Sequence, residues 1–155
     1  FSLGCALSQE IRDLGVSQTV DEFTQEATCS HAVATWDFNI RFIALNHSAD
    51  GTSFAIGKHH ENFSNVFNMF GDPNPTVYFR FSDQEIIEIK TAYAYSDSEN
   101  DMDYVIIADE QLLYRLLSAP TDLRIRFDGS RGREDFTLPH ALIRAITAGF
   151  GQECL

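Results

Sequence analysis

Residues 123–138 read LRIRFDGSRGREDFTL, and this stretch decides the fold class. In its first half apolar residues alternate with arginines, which is the period of a strand with one buried face; the apolar residues are Leu123, Ile125 and Phe127. The polar run at 128–132 predicts a turn, and 134–137 predicts the returning strand. Because a hairpin is antiparallel, we expect the surrounding sheet to be mostly antiparallel.

Helical patterns flank this hairpin on both sides. Before it, Asp109 is a typical helix cap and Pro120 ends the helix, whose apolar face is Leu112, Leu113, Leu116 and Leu117. After it, Pro139 opens a helix with Gly149 near its end and an apolar face of Leu142, Ile143, Ile146 and Phe150. The sequence therefore predicts two helices that pack against the sheet.

Further strands are predicted upstream, at 35–46, 53–57, 76–81, 85–95 and 103–108. In the first of these strands, the face that we expect to be buried is Trp36, Phe38, Ile40 and Phe42. Between the second and the third, helical spacing followed by Gly71 and Pro73 predicts a helix at about 60–70, with a stripe of Phe63, Val66, Phe67 and Phe70.

The N-terminal part has a different pattern. A capping box from Thr19 to Glu22 predicts a short amphipathic helix at 20–27. We therefore expect residues 1–33 to form a helical N-terminal segment and residues 34–155 to form the sheet and its packed helices. Since strands and helices come in groups rather than in strict alternation, the chain is predicted to be a single α+β domain with a mostly antiparallel sheet.

The acidic balance of the chain limits its partners. Of its 155 residues, 23 are Asp or Glu and 11 are Lys or Arg, so the net charge is −12. This charge disfavours nonspecific binding to nucleic acid or to an anionic membrane. No apolar run reaches about 18 residues, so we expect no membrane insertion. The chain begins at Phe1 without Met or a signal-peptide pattern, from which we expect that processing or trimming removed a segment upstream.

The cysteines bear on the compartment. Cys5, Cys29 and Cys154 lie outside the central strands, and their spacing is not that of a zinc or redox site. One disulfide, with Cys29 and Cys154 as the candidates, would tether an end of the chain to its body and suit a periplasmic or secreted protein. The sequence leaves open the alternative that all three are reduced.

Acidic residues recur between two predicted strands, at Glu99, Asp101 and Asp103. Hard oxygen ligands are what calcium prefers, so these three are candidate metal ligands. They do not form an EF-hand, because the glycine that its loop requires is replaced by Tyr104. The alternative is a solvated hairpin tip whose charges protect the strand edge.

Basic residues concentrate toward the C-terminus, and six of the eleven lie between residues 115 and 144: Arg115, Arg124, Arg126, Arg131, Arg133 and Arg144. They predict either a patch that faces an anionic partner or internal pairing, with Arg124, Arg126 and Arg133 opposite acidic residues such as Glu134 and Asp135. Of the two, we favour internal pairing. The glycines at 129 and 132 also permit an anion nest of backbone amides, although a hairpin turn explains them fully.

The C-terminal half carries a family resemblance. Its pattern is Ala119-Pro120, the strand at 123–127, then Phe136-Thr137-Leu138 and an Ala- and Ile-rich helix that closes on Cys154. Over about residues 76–154, the chain resembles small bacterial domains of the invasion-associated protein B type and accessory domains of type VI secretion loci. The resemblance implies a non-enzymatic, envelope-associated domain, and it carries over no functional residue.

The sequence shows no motif of nucleophilic catalysis and no nucleotide or phosphate loop, so we assign no catalytic or cofactor-binding residue. We expect a non-catalytic, exported bacterial domain that acts through protein or envelope contacts. Three alternatives stay open: a small enzyme whose pocket carries no motif, a calcium-stabilised binding module, and a cytoplasmic location.

Overall fold

The computed structural model describes residues 11–35, 41–59, 63, 66, 75–81, 85–89, 92–99 and 101–154. Within these residues, strands form where apolar and polar residues alternate. The strands are β1 (Ile11–Val20), β2 (Ala27–Thr35), β3 (Phe42–Ser48), β4 (Gly51–His59), β5 (Thr76–Phe81), β6 (Ile87–Ile89), β7 (Ala92–Asp97), β8 (Met102–Ala108), β9 (Leu123–Gly129) and β10 (Gly132–Leu138). The helices are α1 (Glu110–Leu117) and α2 (His140–Glu153).

Within the described residues, the strands make two antiparallel sheets. The large sheet has six strands in the order β1-β2-β3-β4-β8-β7, and the small sheet has four in the order β10-β9-β5-β6. Most neighbours in the large sheet are hairpins, while β5 pairs with β9 across a long stretch of chain. The predicted α+β domain with a mostly antiparallel sheet is confirmed.

One hydrophobic core joins the two sheets and α2. Alternate residues of both sheets point into it, and its largest fully buried side chains include Phe54, Phe79, Phe127 and Phe150. Each such side chain stabilises the fold by roughly 1.5–3 kcal/mol relative to full exposure. The side chains on the other face of the small sheet point away from this core.

The two predicted helices near the C-terminus are confirmed. Asp109 caps α1, where its carboxylate accepts a hydrogen bond from the Gln111 amide at 2.9 Å. Pro139 precedes α2, which buries Leu142, Ile143, Ile146, Thr147 and Phe150. The helix continues past Gly149, at which a Cβ would lie only 2.7 Å from Cε1 of His31. Glycine is therefore needed there for α2 to approach β2.

The predicted helical N-terminal segment is wrong from residue 11 onward, because this part of the chain is the β1–β2 hairpin. The predicted capping box does not form, because Thr19 lies in β1 and Asp21 begins a turn, in which its carboxylate accepts from the Phe23 and Thr24 amides at 2.8 and 2.9 Å. Gln25 then reverses the chain with φ of +60°. An aspartate bonded to amides two and three residues ahead satisfies a turn as well as a helix start.

Two strand predictions need correction. The predicted strand at 35–46 is divided: β2 ends at Thr35, β3 begins at Phe42, and residues 36–40 lie outside the described part. In β3, Ile43 and Leu45 point into the core, so the predicted buried face is wrong there. The predicted strand at 85–95 is also two strands, β6 in the small sheet and β7 in the large sheet.

The strands predicted at 53–57, 76–81 and 103–108, and the hairpin at 123–137, are confirmed as β4, β5, β8 and β9–β10. The helix predicted at 60–70 lies outside the described residues except for Phe63 and Val66, which are buried. Neither α1 nor α2 has the length and apolar character that a bilayer crossing requires.

Candidate functional site

The outer face of the small sheet carries a cavity of about 580 Å³, which we call the basic groove. Its floor is formed by outward side chains of β5, β9 and β10, because these alternate with the residues that point into the core. Its charged lining residues are three arginines and two aspartates, Arg80, Arg124, Arg126, Asp128 and Asp135, and Tyr78 and Thr137 lie among them. A volume of this size suits a small molecule or a short segment of a partner.

Strand register orders these side chains into two rows. In the first row, Arg124 stands opposite Arg80 on β5 and opposite Thr137 on β10. In the second row, Arg126 stands opposite Tyr78 on β5 and opposite Asp135 on β10. Directly opposite residues on antiparallel strands have Cβ atoms about 4.5–5.5 Å apart, so each row brings its side chains within contact.

In the second row, the charge of Arg126 is balanced by a carboxylate. Nε and Nη2 of Arg126 donate to the two carboxylate oxygens of Asp135 at 2.7 and 2.8 Å. This hydrogen bonding by Arg126, more than the charges of Arg133 and Arg124, lowers the pKa of Asp135. The internal pairing that the sequence predicted is thus confirmed for Arg126.

The first row has no such balance. Among the described residues, no carboxylate forms an ion pair with Arg80 or with Arg124. Moreover, Nε of Arg80 is buried without a hydrogen-bond partner in the described structure. Like charges directly opposite each other destabilise a sheet, and an unsatisfied buried donor of a charged group adds to that cost. We call Arg80 and Arg124 the arginine pair.

A second polar cluster lies on the opposite, inner side. Lys58 of β4 is 3% exposed, and its Nζ donates to Oε1 of Glu134 at 2.6 Å. The same ammonium lies 5.1 Å from the centroid of the Phe63 ring. Since Lys58 belongs to the large sheet and Glu134 to the small one, this buried ion pair ties the two sheets together.

His31 is also held in a structural role. Its ring is 1% exposed, with Nδ1 at 2.7 Å from the Ile146 carbonyl oxygen and Nε2 at 2.7 Å from Oδ1 of Asp13. Both of these neighbouring oxygens can accept a hydrogen bond. The hydrogen bond from His31, followed by one from the Gly15 amide, lowers the pKa of Asp13. These contacts join α2 to the β1–β2 hairpin.

The two candidate disulfide cysteines are brought together. The sulfur atoms of Cys29 and Cys154 lie 2.02 Å apart, with 5.5 Å between the Cα atoms, as in a disulfide. The bond ties the end of α2 to β2 and closes a loop across 125 residues of sequence. Cys5 lies outside the described residues.

The candidate calcium ligands do not converge. Asp103 is fully buried, and its carboxylate accepts a hydrogen bond from Oγ of Ser96 at 2.6 Å. Glu99 and Asp101 are exposed in the turn before β8, where Asp101 has φ of +55°. Over the described ranges, no group of three His, Cys, Asp or Glu side chains is placed to hold a metal ion.

The predicted anion nest is occupied by the protein itself. The amides of Arg131 and Gly132 donate to the Val66 carbonyl at 2.8 and 3.1 Å. The turn between β9 and β10 therefore binds backbone of this chain, and these two amides are engaged.

Sequence reasoning named Arg124 and Arg126 but missed Arg80 and Tyr78. The alternation in β5 puts Tyr78 and Arg80 on one face, which was a usable signal. What it could not show is that β5 pairs with β9, since that pairing joins segments far apart in the chain.

We compared the chain with protein-family models, curated proteins and solved structures, and none of them matches it.

Proposed function

We propose that this chain is a non-catalytic, exported binding domain that holds an anionic group of its protein or envelope partner in the basic groove. The observation that carries the proposal is the arginine pair, in which two arginines stand directly opposite each other on β5 and β9 and neither forms an ion pair with a carboxylate of the described residues. A bound anion would remove their repulsion and satisfy the buried Arg80 Nε.

A structural role for the residues best suited to chemistry supports the non-catalytic part. Cys29 is bonded to Cys154, and both ring nitrogens of His31 face structural acceptors. In the groove, Asp135 is held by Arg126, which lowers its pKa and makes it a poor base. Recognition by the arginines is what this arrangement performs best.

The disulfide supports the export part of the proposal, because such bonds persist in oxidising compartments. The family resemblance of the C-terminal half points the same way. Protein prepared with export should show one free thiol of three by mass, after alkylation of denatured and unreduced protein. Three free thiols would remove this support for export.

Binding is tested with two fluorescent polyanions, polyglutamate and polyphosphate, whose anisotropy reports complex formation. We expect at least one to bind the wild-type protein, and the R80Q/R124Q variant to weaken that binding by at least about tenfold. The matched control is R115Q/R144Q, which removes the same charge from exposed positions of α1 and α2.

Equal weakening by the control would show that binding follows net charge rather than the groove, and would overturn the proposal. Absence of binding to both polyanions would overturn it as well. Because Arg124 is exposed, the single R124Q variant repeats the test with the least risk to folding.

A further inference from the structure

The two rows of the basic groove differ in charge, and this difference indicates the ligand. Arg126 is neutralised by Asp135 in a two-point ion pair. The arginine pair, one register step away, carries two positive charges without a carboxylate partner in the described residues. The excess charge of the groove is therefore concentrated at one end.

Two guanidinium groups suit one doubly charged ligand group better than a singly charged one. A carboxylate has two oxygens and matches a single guanidinium fork, so the other arginine would stay unbalanced. A phosphomonoester carries a charge of about −1.5 to −2 and three acceptor oxygens, so it can accept from both forks at once. The hydroxyl of Thr137, opposite Arg124, adds a further donor.

The walls beside the pair are less polar. Ile86 lines the groove while 56% exposed, and Tyr78 lines it from the neighbouring row. An exposed isoleucine and a tyrosine in the lining of one groove favour an apolar group on the ligand. The two carboxylates that line the groove, Asp128 and Asp135, lie in rows beyond the arginine pair, so one phosphate is accommodated at one end.

We propose that the arginine pair binds the dianionic head of a phosphomonoester whose apolar body lies against Tyr78 and Ile86. This inference rests on the proposed function. The phosphate bridges Arg80 and Arg124, and it satisfies the buried Nε of Arg80. The same chemistry is offered by a free small phosphomonoester and by a phosphorylated tyrosine side chain of a partner.

The probe is phenyl phosphate, titrated calorimetrically, with phenyl sulfate as a matched monoanion. At about pH 7.5 we expect phenyl phosphate to bind at least about tenfold more tightly than phenyl sulfate. At about pH 5 its affinity should fall about tenfold, because the second phosphate pKa is about 6. The affinity of phenyl sulfate should not follow this change.

Arginine variants show which residues produce the preference for phosphate over sulfate. R80Q/R124Q and the single R124Q should remove the preference for phosphate, while R115Q/R144Q should retain it. Replacing the pair by lysines keeps the charge but loses the planar forks, so R80K/R124K should recover only part of the affinity. Thermal unfolding of each variant separates lost binding from lost folding.

The outcomes distinguish this inference from the proposed function. Equal binding of phosphate and sulfate at both pH values overturns the phosphomonoester and leaves an anion-binding groove. Binding of polyglutamate without phenyl phosphate does the same, whereas failure of every anion overturns both. A phosphotyrosine peptide that binds more tightly than phenyl phosphate indicates a protein source, and equal affinities indicate a small molecule; both support the inference.

Discussion

Glu134 and Asp135 are adjacent carboxylates on β10 that point to opposite sides of the small sheet. Glu134 reaches inward to Lys58, whose side chain is only 4% exposed. Asp135 reaches outward to Arg126, in a pair whose side chains are 56% and 43% exposed. The side chain of Glu134 is 25% exposed, so the inner pair is largely buried between the two sheets, while water and solutes reach the outer pair more freely. Similar ion pairs therefore have different places: the inner pair joins the two sheets, and the outer pair lies in the basic groove, which we propose as a binding surface.

Breaking the inner pair should have the largest effect. E134Q leaves the Lys58 charge buried without its carboxylate, which should lower the free energy of unfolding by about 3 kcal/mol or more. Urea unfolding followed by circular dichroism measures this loss. The double variant K58M/E134L replaces both charges by apolar groups and should recover most of it. A loss below about 1 kcal/mol in E134Q would show that the pair behaves as an exposed one.

Placing a methyl group against His31 should lower the free energy of unfolding by less than E134Q does. In G149A the new Cβ meets the imidazole, which cannot move away because Asp13 and Ile146 hold both nitrogens. We expect a destabilisation of about 1–3 kcal/mol, typical of overpacking. G151A is the matched control, since a Cβ there lies 4.0 Å from Leu117 Cδ2, an ordinary contact. Equal unfolding midpoints for the two variants would contradict the close approach of α2 to β2.

The outer pair should matter little for stability and more for binding. D135N should change the free energy of unfolding by less than about 1 kcal/mol, because an exposed ion pair contributes little. The same change removes a negative charge from the groove and releases Arg126, so affinity for phenyl phosphate should rise. Scanning calorimetry of D135N measures the change in stability, and titration calorimetry measures the change in phenyl phosphate affinity. Weaker phosphate binding in this variant would contradict the proposed role of Asp135.

Low pH should remove the contribution that Asp13 makes to stability. The pKa of Asp13 is lowered from 3.8 in the folded protein, so its contribution to stability is present above that value. The contribution is lost as the pH falls through the lower folded pKa, below which Asp13 is protonated in both states. The stability difference between wild type and D13N should therefore be full above about pH 5 and shrink as the pH falls below 3.8. Parallel unfolding curves with a constant difference would rule out this linkage.

The sequence predicted the local elements well and the long-range pairings poorly. Asp109, Pro120 and Pro139 mark helix ends through their own backbone chemistry, so α1 and α2 could be placed. The capping box predicted from Thr19 to Glu22 failed because Thr19 lies in β1 and the side chain of Asp21 bonds the amides of a turn. The run at 85–95 failed because uniform strand propensity does not show where the chain leaves one sheet for the other.

The candidate site was predictable only in part, for the same reason. The alternation at Arg124 and Arg126 showed that they share a face, and their acidic neighbours favoured pairing. That prediction holds for Arg126 with Asp135. Glu134 pairs with Lys58 instead, and Arg80 comes opposite Arg124 only through the β5–β9 pairing. Both contacts depend on tertiary structure that no local pattern carries.

The most direct test of the account is the stability of R80Q/R124Q measured beside its anion binding. If the arginine pair exists for a ligand, its removal relieves like-charge repulsion, so the free energy of unfolding should stay the same or rise by up to about 1 kcal/mol. Phenyl phosphate binding should be lost in the same sample. A variant that is clearly less stable than the wild type yet still binds the phosphate would contradict the account, because the pair would then serve the fold rather than a partner.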